Sequence, residues 1–132
     1  MQKPAIFSTL LLVLLISCTA CALGPKEYGV LEGQVNIGPL VPAVQVGEPD
    51  PTPAPEVYAA REIVVYKQNG KTEFTRLGID PTGHYEGELP VGVYVVDINR
   101  IGIDRADNLP LEITILANQT TALNINIDTG IR

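Results

Sequence analysis

Five side chains with oxygen donors, Asp97, Asn99, Asp104, Asp107 and Asn108, fall inside residues 97–108. Carboxylate and amide oxygens at that density are the chemistry of a hard cation such as calcium. Their spacing matches no EF-hand loop, and Arg100 and Arg105 stand among them as ion-pair partners, the reading favoured over a metal. Other chemistry falls by elimination. The two serines, Ser8 and Ser17, and the two cysteines, Cys18 and Cys21, all precede Tyr28, so the chain beyond that point has no serine or cysteine nucleophile. His84 is the single histidine, which argues against a multi-His or His-Cys transition-metal site. It reads as one exposed strand face with Glu86 and Glu88. Composition leaves open a carboxylate pair for glycoside hydrolysis, but the chain has no Trp and these acids alternate as surface residues do. No catalytic residue and no cofactor are assigned, and the expectation is not an enzyme. Asn118-Gln119-Thr120 fits a glycosylation sequon and reads more simply as a turn.

What positions these residues starts with a leader. Leu15-Ile16-Ser17-Cys18 closes an apolar run that begins at Ala5, after the single positive residue Lys3. The stretch resembles a bacterial lipoprotein processing site: a small residue before the cysteine permits cleavage, and Cys18 would then carry the acyl chains. Two alternatives stay open. One is an uncleaved membrane helix, disfavoured because only Lys26, followed at once by Glu27, stands where a stop-transfer segment is usually basic. The other is secretory cleavage after Ala20-Cys21-Ala22. All three put the remaining chain outside the cytoplasm. The expected organisation is a signal peptide over 1–17, a lipidated tether over 18–27 and one domain over 28–132. The formal charge of −6 becomes −7 once Lys3 leaves, which opposes nucleic acid as a partner. The expected partners are a membrane, through the N-terminal lipid, and an envelope protein. With both cysteines in the tether, the domain has no internal disulfide and must rest on its core.

From Tyr28 onward apolar and polar residues alternate in short runs, and no segment shows sustained helical spacing. Leu31, Gly33, Val35 and Ile37 share one face of the first run; Leu123, Ile125 and Ile127 share one face of the last. Between them strands are expected at 62–68, 71–77, 84–89, 93–98 and 111–116, seven in all. Asn69-Gly70 reads as a type I′ hairpin turn and Asp80-Pro81-Thr82-Gly83 as a type I turn. The pattern predicts an all-β, seven-stranded antiparallel sandwich. One interval breaks it: residues 38–60 hold Pro39, Pro42, Pro49, Pro51, Pro53 and Pro55, and should be extended and solvated. That loop reads first as a spacer, and alternatively as a recognition arm offering Leu40, Val41, Val44, Val46 and Tyr58 to a partner.

Asp80-Pro81-Thr82-Gly83-His84-Tyr85 followed by Leu89-Pro90-Val91-Gly92-Val93-Tyr94 resembles the carboxypeptidase regulatory-like domain, a prealbumin-like (transthyretin-like) sandwich. Gly83, Tyr85, Leu89, Pro90, Gly92 and Tyr94 fill that family's pattern, and residues 29–35 look like its first strand. The resemblance spans about 29–128 and implies the fold and an accessory, non-catalytic role. A narrower likeness rests on Ile37-Gly38-Pro39-Leu40-Val41-Pro42, Gly92-Val93-Tyr94-Val95-Val96 and the ending Ile127-Asp128-Thr129-Gly130-Ile131-Arg132, which together look like a group of small secreted prokaryotic proteins of unassigned function. In that group the long loop often carries two cysteines; here Val41 and Asp50 stand at the matching positions.

Three functional classes follow. The leading one is a lipid-anchored, non-catalytic envelope module that binds or spaces other proteins. A glycan- or calcium-binding module comes second, and a carboxylate-dependent hydrolase last. Residues 97–108 are the foremost loop for a binding site.

Overall fold

Alternation turns into burial along the first strand, β1 (Tyr28–Gly38), where Leu31, Val35 and Ile37 are buried while Glu32, Gln34 and Asn36 face outward. The computed structural model describes residues 24–132; the leader, Cys18 and Cys21 lie outside the described residues. After β1 come α1 (Pro55–Ala59), β2 (Glu62–Lys67), β3 (Glu73–Gly78), β4 (His84–Pro90), β5 (Gly92–Ile98), β6 (Leu111–Ile115), β7 (Thr120–Ala122) and β8 (Ile125–Asp128). Two four-stranded sheets result. One has β1 at its centre with β4 on one side and β7 and β8 on the other; the second runs β3-β2-β5-β6. The fold is the expected all-β sandwich, and its inner faces meet over Leu31, Val35, Ile63, Val65, Tyr85, Leu89, Val96, Ile115 and Ile125.

The last expected run is two strands instead of one. Both pair parallel to β1 in one register, Val30 opposite Thr120 and Val35 opposite Ile125, whereas every other strand pairing is antiparallel. The break at Leu123-Asn124 is caused by contacts from β4 and β1. The Leu123 carbonyl accepts the buried Tyr85 hydroxyl at 2.5 Å, and the Gln34 N–H donates to Asn124 Oδ1 at 2.9 Å, so a side chain stands in for the ladder. Gly33 makes this possible. It lies opposite Tyr85, and a Cβ there would overlap the Leu123 carbonyl oxygen and sit 2.9 Å from the Tyr85 ring. Burial pushes the Tyr85 phenol well above its ordinary range.

Two turns refine the expectations. At Asn69-Gly70 only the glycine has positive φ, 65°, and the Gly70 N–H closes on the Lys67 carbonyl at 2.8 Å, so the corner lies one residue early. Asn69 Oδ1 accepts the N–H groups of Lys71 and Thr72, both at 2.9 Å, and this side-chain competition delays β3 to Glu73. The turn at Asp80 is as expected, with the Gly83 N–H on the Asp80 carbonyl at 2.9 Å. Asp80 Oδ1 also accepts the Thr82 hydroxyl at 2.6 Å, and that bond holds its carboxyl below the usual range.

The proline-rich interval is not solvated throughout. It ends in α1, with Pro55 in the first turn where its missing N–H costs nothing. Tyr58, which the alternative recognition-arm reading offered to a partner, belongs to the core, and Leu40 and Val57 pack against that core. An isolated turn of helix needs this tertiary contact to form.

Candidate functional site

Residues 38–60 and 97–108 lie far apart in sequence and meet at one end of the sandwich, where β1 finishes at Gly38. Arg61, just after α1, joins them. Its Nε donates to Asp104 Oδ2 at 2.8 Å and its Nη2 to Oδ1 at 3.2 Å, while Nη1 donates to the Val57 carbonyl at 2.8 Å. The two side chains are 12% and 5% exposed, so water screens the pair little. Asn99 adds a second link, accepting the Glu62 N–H at 2.7 Å and donating to the Ala60 carbonyl at 3.2 Å.

The C-terminal residues complete this end. The Thr129 hydroxyl donates to the Pro39 carbonyl, and the Thr129 N–H donates to Gly38 at 3.1 Å. Arg105 and Asp128 exchange backbone bonds of 2.9 and 2.7 Å. Arg132 Nη2 donates to Asp128 Oδ2 at 2.8 Å, the main reason the Asp128 carboxyl titrates at about 2.

The five oxygen-bearing residues of 97–108 are not gathered around one point. Asp97 accepts Arg100 at 3.0 Å, Asn99 joins β2, Asp104 holds Arg61, Asn108 donates to the Asn124 carbonyl at 3.3 Å, and Asp107 is exposed. The favoured arginine pairing therefore forms at Asp97. At Asp104 the partner is Arg61 rather than Arg105, whose backbone is engaged with Asp128. Sequence reasoning missed Arg61 because its partner lies 43 residues away. Among the described residues, one group of His, Asp and Glu donors lies within 4.8 Å of one another: Glu32, His84 and Glu86. Glu32 faces Glu86 across β1 and β4, and His84 Nε2 is 3.7 Å from Glu86, an open surface arrangement on the outer sheet face. Glu88 lies exposed farther along β4.

Two hollows open at the loop end and share Ile37 and Gly38. One, about 330 Å³, lies within the proline-rich loop against Leu40, Val41, Val44 and Asp50. Val41 and Asp50, where the resembling group carries cysteines, thus border the same space. The other, about 300 Å³, lies against Arg105, Asp107 and Asp128. Ile101, Ile103 and Ile131 are 40%, 68% and 36% exposed, and Val46 is fully exposed. These apolar side chains stand beside ion pairs already satisfied within the protein.

No family model matches the chain, and no curated protein matches it. Solved structures do. The minor pilin GBS52 of Streptococcus agalactiae aligns with a TM-score of 0.53 at 18% identity, over 78% of this chain and 45% of the pilin. The Bacillus anthracis TIE protein aligns with a TM-score of 0.50 at 15% identity, over 77% of this chain and 16% of that one. A DUF3823 family protein from Parabacteroides merdae gives 0.47 at 16% identity, over 77% and 46%. The chain thus spans less than half the length of each. At these identities the likeness is one of fold, a β-sandwich.

Proposed function

We propose that this chain is a lipid-anchored, extracytoplasmic β-sandwich module, without catalysis, that binds or spaces envelope proteins through its loop end. Cys18 carries the lipid in this reading, residues 1–17 are the removed leader, 18–27 the tether and 28–132 the domain. The observation that carries it is the course of β1. This strand begins at Tyr28, where the tether joins, and ends at Gly38, where residues 39–61, 99–110 and 129–132 converge. At ~3.3 Å per residue, its 11 residues set the two ends roughly 35 Å apart. An anchored domain so arranged presents its apolar loop end away from the membrane. The likeness to a minor pilin supports the reading at the level of fold.

Two measurements test it. Labelled acyl chains should appear on the wild type and not on Cys18→Ala; equal labelling of both ends the anchoring assignment. Replacing residues 43–54 by a short Gly/Ser linker spares Leu40, Val57 and Tyr58 and should leave the melting temperature almost unchanged, because loop length enters closure entropy only logarithmically. In-cell crosslinking should then lose its captured envelope partners. Unchanged capture by this variant and by an Ile101→Ser/Ile103→Ser variant refutes binding through the loop end.

A further inference from the structure

At the opposite end of the sandwich, beside Tyr28 where β1 begins, lies a groove of about 580 Å³ bordered by Lys26, Glu27, Tyr28, Glu88, Asn118, Gln119 and Thr120. We infer that this groove binds a neutral glycan, with one sugar ring stacked on Tyr28 and its hydroxyls held by the surrounding amides and Glu88. The inference goes beyond the protein-binding reading and concerns other residues.

The groove is built, and its construction begins with a residue that has no side chain. Gly29 is buried, and a Cβ there would overlap the Leu116 carbonyl oxygen and stand 2.9 Å from the Gln119 carbonyl oxygen and the Ile115 side chain. Its absence lets the turn over 116–119 close on β1. The Asn118 N–H donates to the Tyr28 carbonyl at 2.8 Å and the Val30 N–H to the Gln119 carbonyl at 2.9 Å. Asn118 takes the left-handed conformation, φ 56°, that Asn tolerates better than most residues. The consequence is a backbone that holds two amide-bearing residues, Asn118 and Gln119, beside Tyr28, which is 40% exposed.

The two ends differ in how their polar groups are used. At the loop end Arg61, Asp97, Asn99, Asp104, Asn108 and Asp128 all have partners within the protein. In the groove Lys26, Glu27, Glu88, Asn118, Gln119 and Thr120 are exposed, and their side chains make no hydrogen bond or ion pair among the described residues, so their donors and acceptors are free to meet a ligand. Their chemistry selects its class. An aromatic ring and a few polar groups around a concave surface are what small polar ligands use. A sugar hydroxyl both donates and accepts, which suits amides, a hydroxyl, a carboxylate and an ammonium together. An anionic ligand meets Glu27, Glu88 and a net charge of −6; a cationic one meets Lys26 and, having no acceptor, leaves the amide N–H groups of Asn118 and Gln119 unpaired, whereas a neutral sugar hydroxyl answers both the acids and the amides.

The test uses the full-length chain in micelles of a non-glycosidic detergent, titrated with N,N′-diacetylchitobiose, cellobiose and maltose while backbone amide shifts are followed. At least one disaccharide should give saturable shifts centred on 28–30, 88 and 118–120. Tyr28→Ala should weaken that binding about tenfold and Gln119→Ala about fivefold, with Tyr28→Phe close to wild type, because stacking needs the ring and not its hydroxyl. Both residues are exposed, so the variants should melt as the wild type does. No saturable shift with any of the three sugars, shifts centred elsewhere, or wild-type affinity in Tyr28→Ala would overturn the inference. None of these results bears on capture of proteins at the loop end.

Discussion

Removing the guanidinium of Arg61 should destabilise the protein more than any surface charge change, because of what it leaves behind. Asp104 is 5% exposed on its side chain and receives two charge-assisted hydrogen bonds from Arg61. At 2.8 Å the attraction is about 6 kcal/mol with an effective dielectric near 20, and desolvating two mostly enclosed groups offsets about half of it. Arg61→Ala strands the carboxylate and should cost about 3 kcal/mol. Asp104→Asn should cost less, about 2 kcal/mol, since Arg61 keeps the Val57 carbonyl and a neutral amide can still accept. The double variant should be milder than the sum by about 1–2 kcal/mol, the signature of a direct pair. Thermal melts of the two single variants and the double variant measure this, with a drop of roughly 10–15 °C for Arg61→Ala in a domain of this size. Raising salt should change the wild-type value little, as the pair is enclosed. A drop under about 2 °C for Arg61→Ala, or strict additivity in the double variant, would refute the claim that this ion pair ties residues 38–60 to 97–108.

Gly33→Ala should lower stability by more than about 3 kcal/mol, since its Cβ must displace the Leu123 backbone or the Tyr85 ring; a melt within a few degrees of wild type would count against this close approach. Ile125→Asp should prevent folding, because Ile125 is fully buried, while Asn124→Asp should be almost silent, since its Oδ1 can still accept the Gln34 N–H; circular dichroism distinguishes the two, and similar melts would reverse the register of β8. Asp128 titrates at about 2 against an ordinary 3.8, so its contribution is fully present above pH 3.8 and is lost as pH falls toward 2. Asp128→Asn should flatten the acid side of the melting curve over that interval, and an unchanged acid slope would show that Arg132 does not hold it.

How far the sequence reached can be judged residue by residue. Leu31, Val35, Ile63, Val96 and Ile125 fall on the inner faces as period-2 alternation requires, because a strand turns each second side chain to the same side whatever its neighbours are. The Asp80 turn was equally legible, being set by Asp, Pro and Gly within four adjacent positions. The turn at Asn69 was less so, since side-chain capture of two N–H groups competes with the mirror-image turn that Asn-Gly also permits. The division of the last run at Leu123 could not be read locally. It depends on a tyrosine from β4 reaching over a glycine of β1, a contact among three strands.

The candidate sites lie further along the same gradient. Oxygen-rich residues 97–108 and prolines 38–60 are visible as composition, but composition carries no distances. Whether Asp104 meets a cation, Arg105 or Arg61 is decided by which strands flank which, and β2 next to β5 brings Arg61 to it. Tyr58 and Tyr28 look alike in the sequence, each outside or at the margin of an expected strand. One enters the core and the other stays 40% exposed because α1 folds back over the sheets while Tyr28 stands at the outer end of β1. The chain's own pattern determined that two sheets would form and which faces would meet, since alternation and turn chemistry act between neighbours. Only the tertiary structure decided which loops share an end, which ions are satisfied internally and which groove keeps its polar groups free, because those depend on contacts between residues far apart in the chain.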